Sequence, residues 1–186
     1  DVTTFNRTSN NYEKVYCDNP VWVFYDLLVN ERYGLGQFID KSNIDKYGLF
    51  QLAKYCDELV PDGEGGYEPR FTTNVYLSKA QEATNVLKQF ASVFRGMALW
   101  QDGQVTAISD REKEPVYAFT KGNIENGLFT YEGTGDRVKT NQVKVQWNDP
   151  QDNYRQSIEY VEDQQGILET GRIVRSEMLA FGCTSR

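Results

Sequence analysis

The 186-residue chain contains no histidine. This absence removes a large block of chemistry. Ser-His-Asp and Cys-His nucleophilic catalysis need an imidazole, and so do the common zinc and non-haem iron sites. Cysteine is nearly as scarce. Cys17, Cys56 and Cys183 form an odd set with no C-x-x-C pair, so a structural zinc site has no framework. Cys17 and Cys56 flank expected helices and read as small apolar packing groups, which fits a reducing compartment during folding. No apolar run approaches the ~18 residues that a bilayer-spanning helix needs. Positive charge is also short, with 20 Lys and Arg against 27 Asp and Glu, a net charge of −7 and a pI near 4.7. The cations are scattered singly instead of forming a basic stripe, which argues against nucleic acid and against a membrane surface as partners.

What is present is ample apolar and aromatic material. The length suits one domain or two small ones and allows a real core without staples. Hydrophobic residues make up 39% of the chain, at a mean hydropathy of −0.62. Tyr and Phe number 12 and 10, more than one small core readily hides, so some are expected at subunit contacts. The opening Asp-Val-Thr-Thr-Phe has neither a Met nor the regions of a signal peptide. Together with the ending Phe-Gly-Cys-Thr-Ser-Arg186, it suggests a piece of a longer chain.

The densest pattern is Asp18-Asn-Pro-Val-Trp-Val-Phe-Tyr-Asp-Leu-Leu-Val-Asn-Glu-Arg-Tyr-Gly-Leu-Gly36. Asp18 or Asn19 caps a helix with Pro20 at its first position, where the missing N–H costs nothing. Val21, Trp22, Phe24, Tyr25, Leu28 and Val29 follow at helical spacing. Gly34 and Gly36 end it, one of them in a left-handed conformation. Before it, residues 1–17 read as extended, with a short strand at 13–17. A second helix is capped by Ser42 or Asn43 and carries Tyr47, Leu49, Phe50, Leu52, Ala53, Tyr55, Cys56 and Leu59. Asp45 near its first turn suits the dipole, and Val60-Pro61 stops it. The run 62–66 is a turn.

Alternation over 70–77 predicts a strand. Ser78 then caps a third helix, with Glu82 near the capping-box position, an apolar face from Ala83 to Phe94, and a stop at Gly96. Gln101-Asp-Gly103 between apolar runs predicts a hairpin. Segments 116–119 and 128–132 follow, the second a strand, around a turn or short helix at 120–123. Gly133 to Asp136 is a flexible divider. Val143, Val145 and Trp147 alternate on one face of a strand, turn residues 148–153 follow, and 157–162 completes a hairpin. Residues 172–181 fit either strand or helix. The fold class is therefore α+β, with N-terminal helices, then strand, helix, hairpin and further antiparallel strands.

Candidate chemistry is thin. Asp57, Glu58, Asp62, Glu64 and Glu68 crowd the acidic loop 57–68, and carboxylates in a glycine loop suit a hard cation. The spacing nevertheless misses the calcium-loop pattern, and a solvated helix end plus a turn explains it. Asp149, Asp152 and Asn153 are what turns use. Trp22, Phe24, Tyr25 and Tyr33 could form a ligand cage, although aromatics at helical spacing are more often core or interface. Gly34-Leu-Gly36 and the 63–66 glycines lack phosphate-loop spacing. No catalytic, cofactor-binding or metal-binding residue is assigned.

The ordered motifs Asn19–Gly36, Ala53-Lys-Tyr-Cys-Asp-Glu-Leu-Val60, Gly65–Asn74, Phe94-Arg-Gly-Met97 and Val143-Lys-Val-Gln-Trp-Asn-Asp-Pro150 resemble the tail tip protein J family of lambda-like phages, also called host-specificity proteins. The resemblance runs over about residues 20–185. It implies an internal structural module of a phage or prophage tail tip, the central hub that joins the tail tube to the host-contacting fibre. It further implies a homotrimer in the virion, assembled in the bacterial cytoplasm and contacting other tail tip and tube proteins, with no cofactor and no enzymatic activity. On that reading residues 1–135 form an α+β hub module, and 136–186 form a β-rich segment of an adjoining hub β-domain. Receptor choice lies further toward the C-terminus, and the motif residues are structural: Pro20, Gly34, Gly36, and Arg70 paired to nearby acids. Two other classes stay open, a carbohydrate- or receptor-binding module and a wall-degrading hydrolase.

Overall fold

Asn19 has extended backbone angles, and its side-chain oxygen accepts from the Val21 N–H. This starts α1 (Pro20–Val29) with proline in the first turn. Nearly every residue of α1 is buried, including Asp26. A helix apolar all round is an interior helix, and α1 packs against both longer helices. In this computed structural model the described residues are 2–6, 11–77, 79, 81–133, 135 and 139–186, with 2–6 and 11–15 given as backbone only.

Around α1 the chain runs as follows. β1 (Val2–Asn6) and β2 (Asn11–Val15) form an antiparallel pair. After α1 come a 3-10 turn (Lys41–Asn43) and α2 (Lys46–Asp57). β3 (Leu59–Pro61) and β4 (Tyr67–Pro69) make a short hairpin. Then come α3 (Ala83–Val93), β5 (Gly96–Gln101) and β6 (Gln104–Ser109), the last two again antiparallel. Further on lie β7 (Gln142–Asp149), β8 (Arg155–Glu162), the short α4 (Gln164–Thr170) and β9 (Arg175–Leu179), with sheet order β8-β7-β9. The architecture is α+β. Two compact units are distinguishable. One comprises residues 1–110, 146–159 and 179–186, and the other 111–145 and 160–178.

The core belongs to the first unit. Val21, Phe24, Tyr25 and Leu28 of α1 meet Leu49, Leu52, Ala53 and Cys56 of α2, Phe90 and Phe94 at α3, and Val105 and Ala107 of β6. Phe24 and Phe94 stand edge to face at 6.1 Å. Each of the buried Val, Leu and Phe side chains contributes about 1.5–3 kcal/mol. The β5–β6 hairpin turns at Asp102 and Gly103, both with positive φ, as a two-residue mirror-image turn requires.

Several sequence expectations are corrected. α1 ends at Asn30 with extended backbone, and neither Gly34 nor Gly36 is left-handed. Their lack of a Cβ matters for another reason, given below. α2 is capped by Asp45, whose carboxylate accepts from the Gly48 N–H at 2.9 Å. Ser42 and Asn43 belong to the preceding 3-10 turn, which Asp40 caps, and Leu59 lies in β3, exposed. Ser78 lies outside the described residues. α3 begins after Glu82, whose side chain does not cap it. Residues 71–77 form no strand, and neither do 128–132. The N-terminal segment holds two strands instead of one at 13–17. The proposed divider 133–136 lies partly outside the described residues. Residues 172–181 include the strand β9, preceded by α4, which was not expected.

Candidate interaction surface

The 18–36 motif is a structural clasp. The Asn19 amide donates to Ala53 O at 2.9 Å and to the Asp57 carboxylate at 2.8 Å, tying the start of α1 to α2. After α1 the chain folds back. Asn30 Oδ1 accepts from Arg32 N at 2.9 Å, and Leu35 N donates to Leu27 O at 2.8 Å. The Tyr33 hydroxyl donates to buried Asp26. Burial, then the hydrogen bond and charge of Asp26, push the Tyr33 phenol up to about 12. A Cβ on Gly34 would sit 2.2 Å from Leu27 O, and one on Gly36 2.3 Å from Val29 O. The glycines are needed for close backbone approach. Trp22, Phe24 and Tyr25 are buried core while Tyr33 is exposed, so the four do not form a cage.

The acids of loop 57–68 are each engaged by protein groups. Asp57 accepts from Asn19. Glu58 pairs with Arg70 at 3.0 Å, whose guanidinium lies over the Tyr55 ring. Asp62 accepts from Glu64 N and Gly66 N at 2.8 and 2.9 Å, which lowers its carboxyl below the ordinary range. Glu64 faces Arg186 at 3.8 Å, and Glu68 accepts from Ser185. Glu159 pairs with Arg186 at 2.8 Å. These groups border a polar hollow of ≈ 620 Å³ that also includes Trp147 and Asp149. Asp149 caps the 3-10 turn Pro150–Asp152, and Asp152 lies 3.5 Å from Arg155. Asn153 takes the left-handed conformation of that turn. Among the described residues no three acidic or thiol groups are grouped to hold a metal ion. All three cysteines are free thiols, Cys56 buried in the core and Cys17 half-buried. Burial pushes the Cys17 thiol up.

Among the described residues two apolar surfaces stand out. In the first unit, an apolar groove of ≈ 430 Å³ runs between the clasp (Leu27, Tyr33, Leu35) and α3 (Ala83, Val86, Leu87), with Lys79 at its rim. In the second unit, residues 111–133 contain no helix or strand apart from a 3-10 turn (Glu125–Gly127). This arm exposes Val116 completely, and also Tyr117, Phe119, Leu128 and Tyr131, the last at 87%. Its aromatics come in pairs two residues apart. Tyr117 and Phe119 lie 4.9 Å between ring centres, and Phe129 and Tyr131 6.2 Å. Asn123 braces the first pair, donating to Tyr117 OH at 3.1 Å and to Ala118 O at 2.8 Å. Large apolar side chains exposed close together in one segment are the material of interaction sites.

Sequence reasoning counted the surplus aromatics but did not locate them. The spacing Tyr-x-Phe and Phe-x-Tyr was the available signal. The groove has no local signal, because its walls come from segments some fifty residues apart in the chain.

A family model described as "Putative phage tail protein" matches residues 82–186. The chain is 38% identical, over 175 residues and 94% of its length, to the tip attachment protein J of Escherichia phage SECphi27. It is 31% identical, over 174 residues and 93% of its length, to the protein of the same name from Escherichia phage SECphi4. In both cases the chain spans about 15% of the relative's length. Taken with the α+β architecture and the match over more than half its residues, the chain belongs to the phage tail protein family.

Proposed function

We propose that this chain is a structural module of a phage or prophage tail tip and works through subunit interfaces instead of bond-making. The observation that carries the reading is its similarity along nearly its whole length to proteins named for tip attachment. The structural features are consistent with it: the motif residues are spent on cap, clasp and core, and large apolar side chains are left on the surface. In this reading the intact protein is a homotrimeric central hub in the virion. It links the tail tube to the host-contacting fibre, is assembled in the host cytoplasm, and contacts other tail tip and tube proteins. The β-rich residues 136–186 continue into an adjoining hub β-domain, and receptor choice lies elsewhere in the polypeptide.

The test is direct. An epitope inserted in the intact protein, at the exposed turn 63–65, should be labelled by gold-tagged antibody at the tail tip of assembled particles, and the protein extracted from tails should have the mass of a trimer. Labelling at the capsid, or hydrolysis of peptidoglycan that disappears when Glu159 is replaced by Gln, would replace this reading with another.

A further inference from the structure

The open groove and the exposed arm are both apolar, and their flanking charges are of opposite sign. The groove is apolar and has room for more than one aromatic side chain, with Lys79 as the charged group at its rim. The arm presents two aromatic pairs, and their flanks differ. Tyr117 and Phe119 are followed by Lys121, which would meet Lys79 with like charge. Phe129 and Tyr131 lie between Glu125 and Glu132, both exposed. Glu114 lies three residues before the first pair, but only the second pair has an acid, Glu132, directly adjoining a ring residue in the chain, and it is this acid that matches Lys79. Phe129 and Tyr131 also lean together, with ring planes 33° apart, so they present one broad apolar knob. Tyr is enriched among residues that anchor interfaces by filling a pocket.

We propose that the Phe129–Tyr131 pair of one copy of this chain docks into the groove between the 33–35 clasp and α3 of a second copy, with Glu132 set against Lys79. The proposal rests on the hub reading above and names the surfaces that join its copies. Knob and groove are different patches, so the contact is head-to-tail. Such contacts close into a ring when the rotation allows, as a three-fold hub requires. Opposite charges at the rim set which pair of aromatics enters and in which register.

The test uses the intact protein in assembled tails. Tyr131 is replaced by the photo-crosslinking p-benzoylphenylalanine and the particles are irradiated. The expected product is a covalent dimer whose cross-linked peptide contains residues 83–87 of the other copy. Lys79→Glu should reduce the yield several-fold, and the charge swap Lys79→Glu with Glu132→Lys should restore it. Both positions are exposed, so folding is not at stake. A cross-link within one chain, a cross-link to a different protein, or a yield indifferent to Lys79 overturns the proposal. If the protein remains a trimer at the tail tip in that event, the docking inference alone has failed. If it is monomeric or absent from the tip, the hub reading has failed with it.

Discussion

Asn141 and Val174 hold each other twice. The Asn141 backbone N–H donates to Val174 O at 3.1 Å, and the Val174 N–H donates back to the Asn141 side-chain oxygen at 2.7 Å. The Asn141 amide also donates to Arg172 O at 2.8 Å and to Thr170 Oγ1 at 3.1 Å, and its backbone carbonyl accepts from Asp163 N. One buried side chain thus ties together the start of β7, the end of α4 and the approach to β9. Beside it, Arg175 Nε donates to Gln142 Oε1 at 2.5 Å, and Gln142 donates to Glu162, joining all three strands of the sheet.

Replacing Asn141 by Ala leaves the half-buried Val174 N–H without its partner, while the Arg172 carbonyl keeps its bond from Thr170 Oγ1 at 3.0 Å. Buried polar groups left without partners cost about 1–3 kcal/mol each. The substitution should destabilise the surroundings of β7, α4 and β9 by about 1–2 kcal/mol. Hydrogen exchange should show faster amides there, with the α1–α2 core protected as before.

Asn19→Ala removes the α1 cap and the donor to Ala53 O. The combined cost should be about 1–2 kcal/mol, from a lost cap near 1 kcal/mol plus the tertiary hydrogen bonds to Ala53 O and Asp57. Thermal unfolding should fall by several degrees. Asn19→Asp keeps the cap but loses the amide donor and sets a carboxylate beside Asp57, so it should recover only part of the loss.

Gly34→Ala forces a methyl group against Leu27 O. The clash is with backbone, which cannot swing aside, so the effect should reach or exceed the top of the usual ~0.5–3 kcal/mol range. Gly133→Ala, where nothing lies within 4 Å of the added carbon, should change the midpoint of urea unfolding little.

The Tyr33 phenol, pushed up to about 12, lies above its ordinary value near 10. Its neutral form is therefore favoured by folding. That contribution is complete below pH ~10 and is lost as pH rises through 12. In alkaline unfolding the wild type should show a decline between pH 10 and 12 that Tyr33→Phe lacks. Titration at 295 nm should lose one transition near pH 12 in Tyr33→Phe.

The pair Arg70–Glu58 is partly exposed, and such pairs contribute under about 1 kcal/mol. Glu58→Gln should be nearly silent in the same unfolding experiments. A large loss would mean that Arg70, stacked on Tyr55, depends on its acid for position.

Features governed by neighbours in the chain were legible in advance. Pro20 after Asn19 starts a helix because both choices act within one turn, and Asp102-Gly103 makes a hairpin because only such residues accept two positive φ angles. The β7–β8 turn at 148–153 and the apolar stripe of α3 follow for the same reason. Residues 71–77 show what local pattern cannot decide. They are β-formers in alternation, yet Phe71 N donates to Cys56 O, Thr73 N to Asp18 O and Asn74 N to Gly182 O, each on a different element. No single neighbouring strand is there to form a ladder. Likewise Gly34 and Gly36 read as helix stops, but their need comes from α1 carbonyls one to two turns back. Composition and spacing determined the class, the helix starts and the turns, because those depend on a few adjacent residues. Only the fold decided which aromatics entered the core, which acids found partners and where an open groove lay, because each depends on segments that meet only after long stretches of chain have closed on one another.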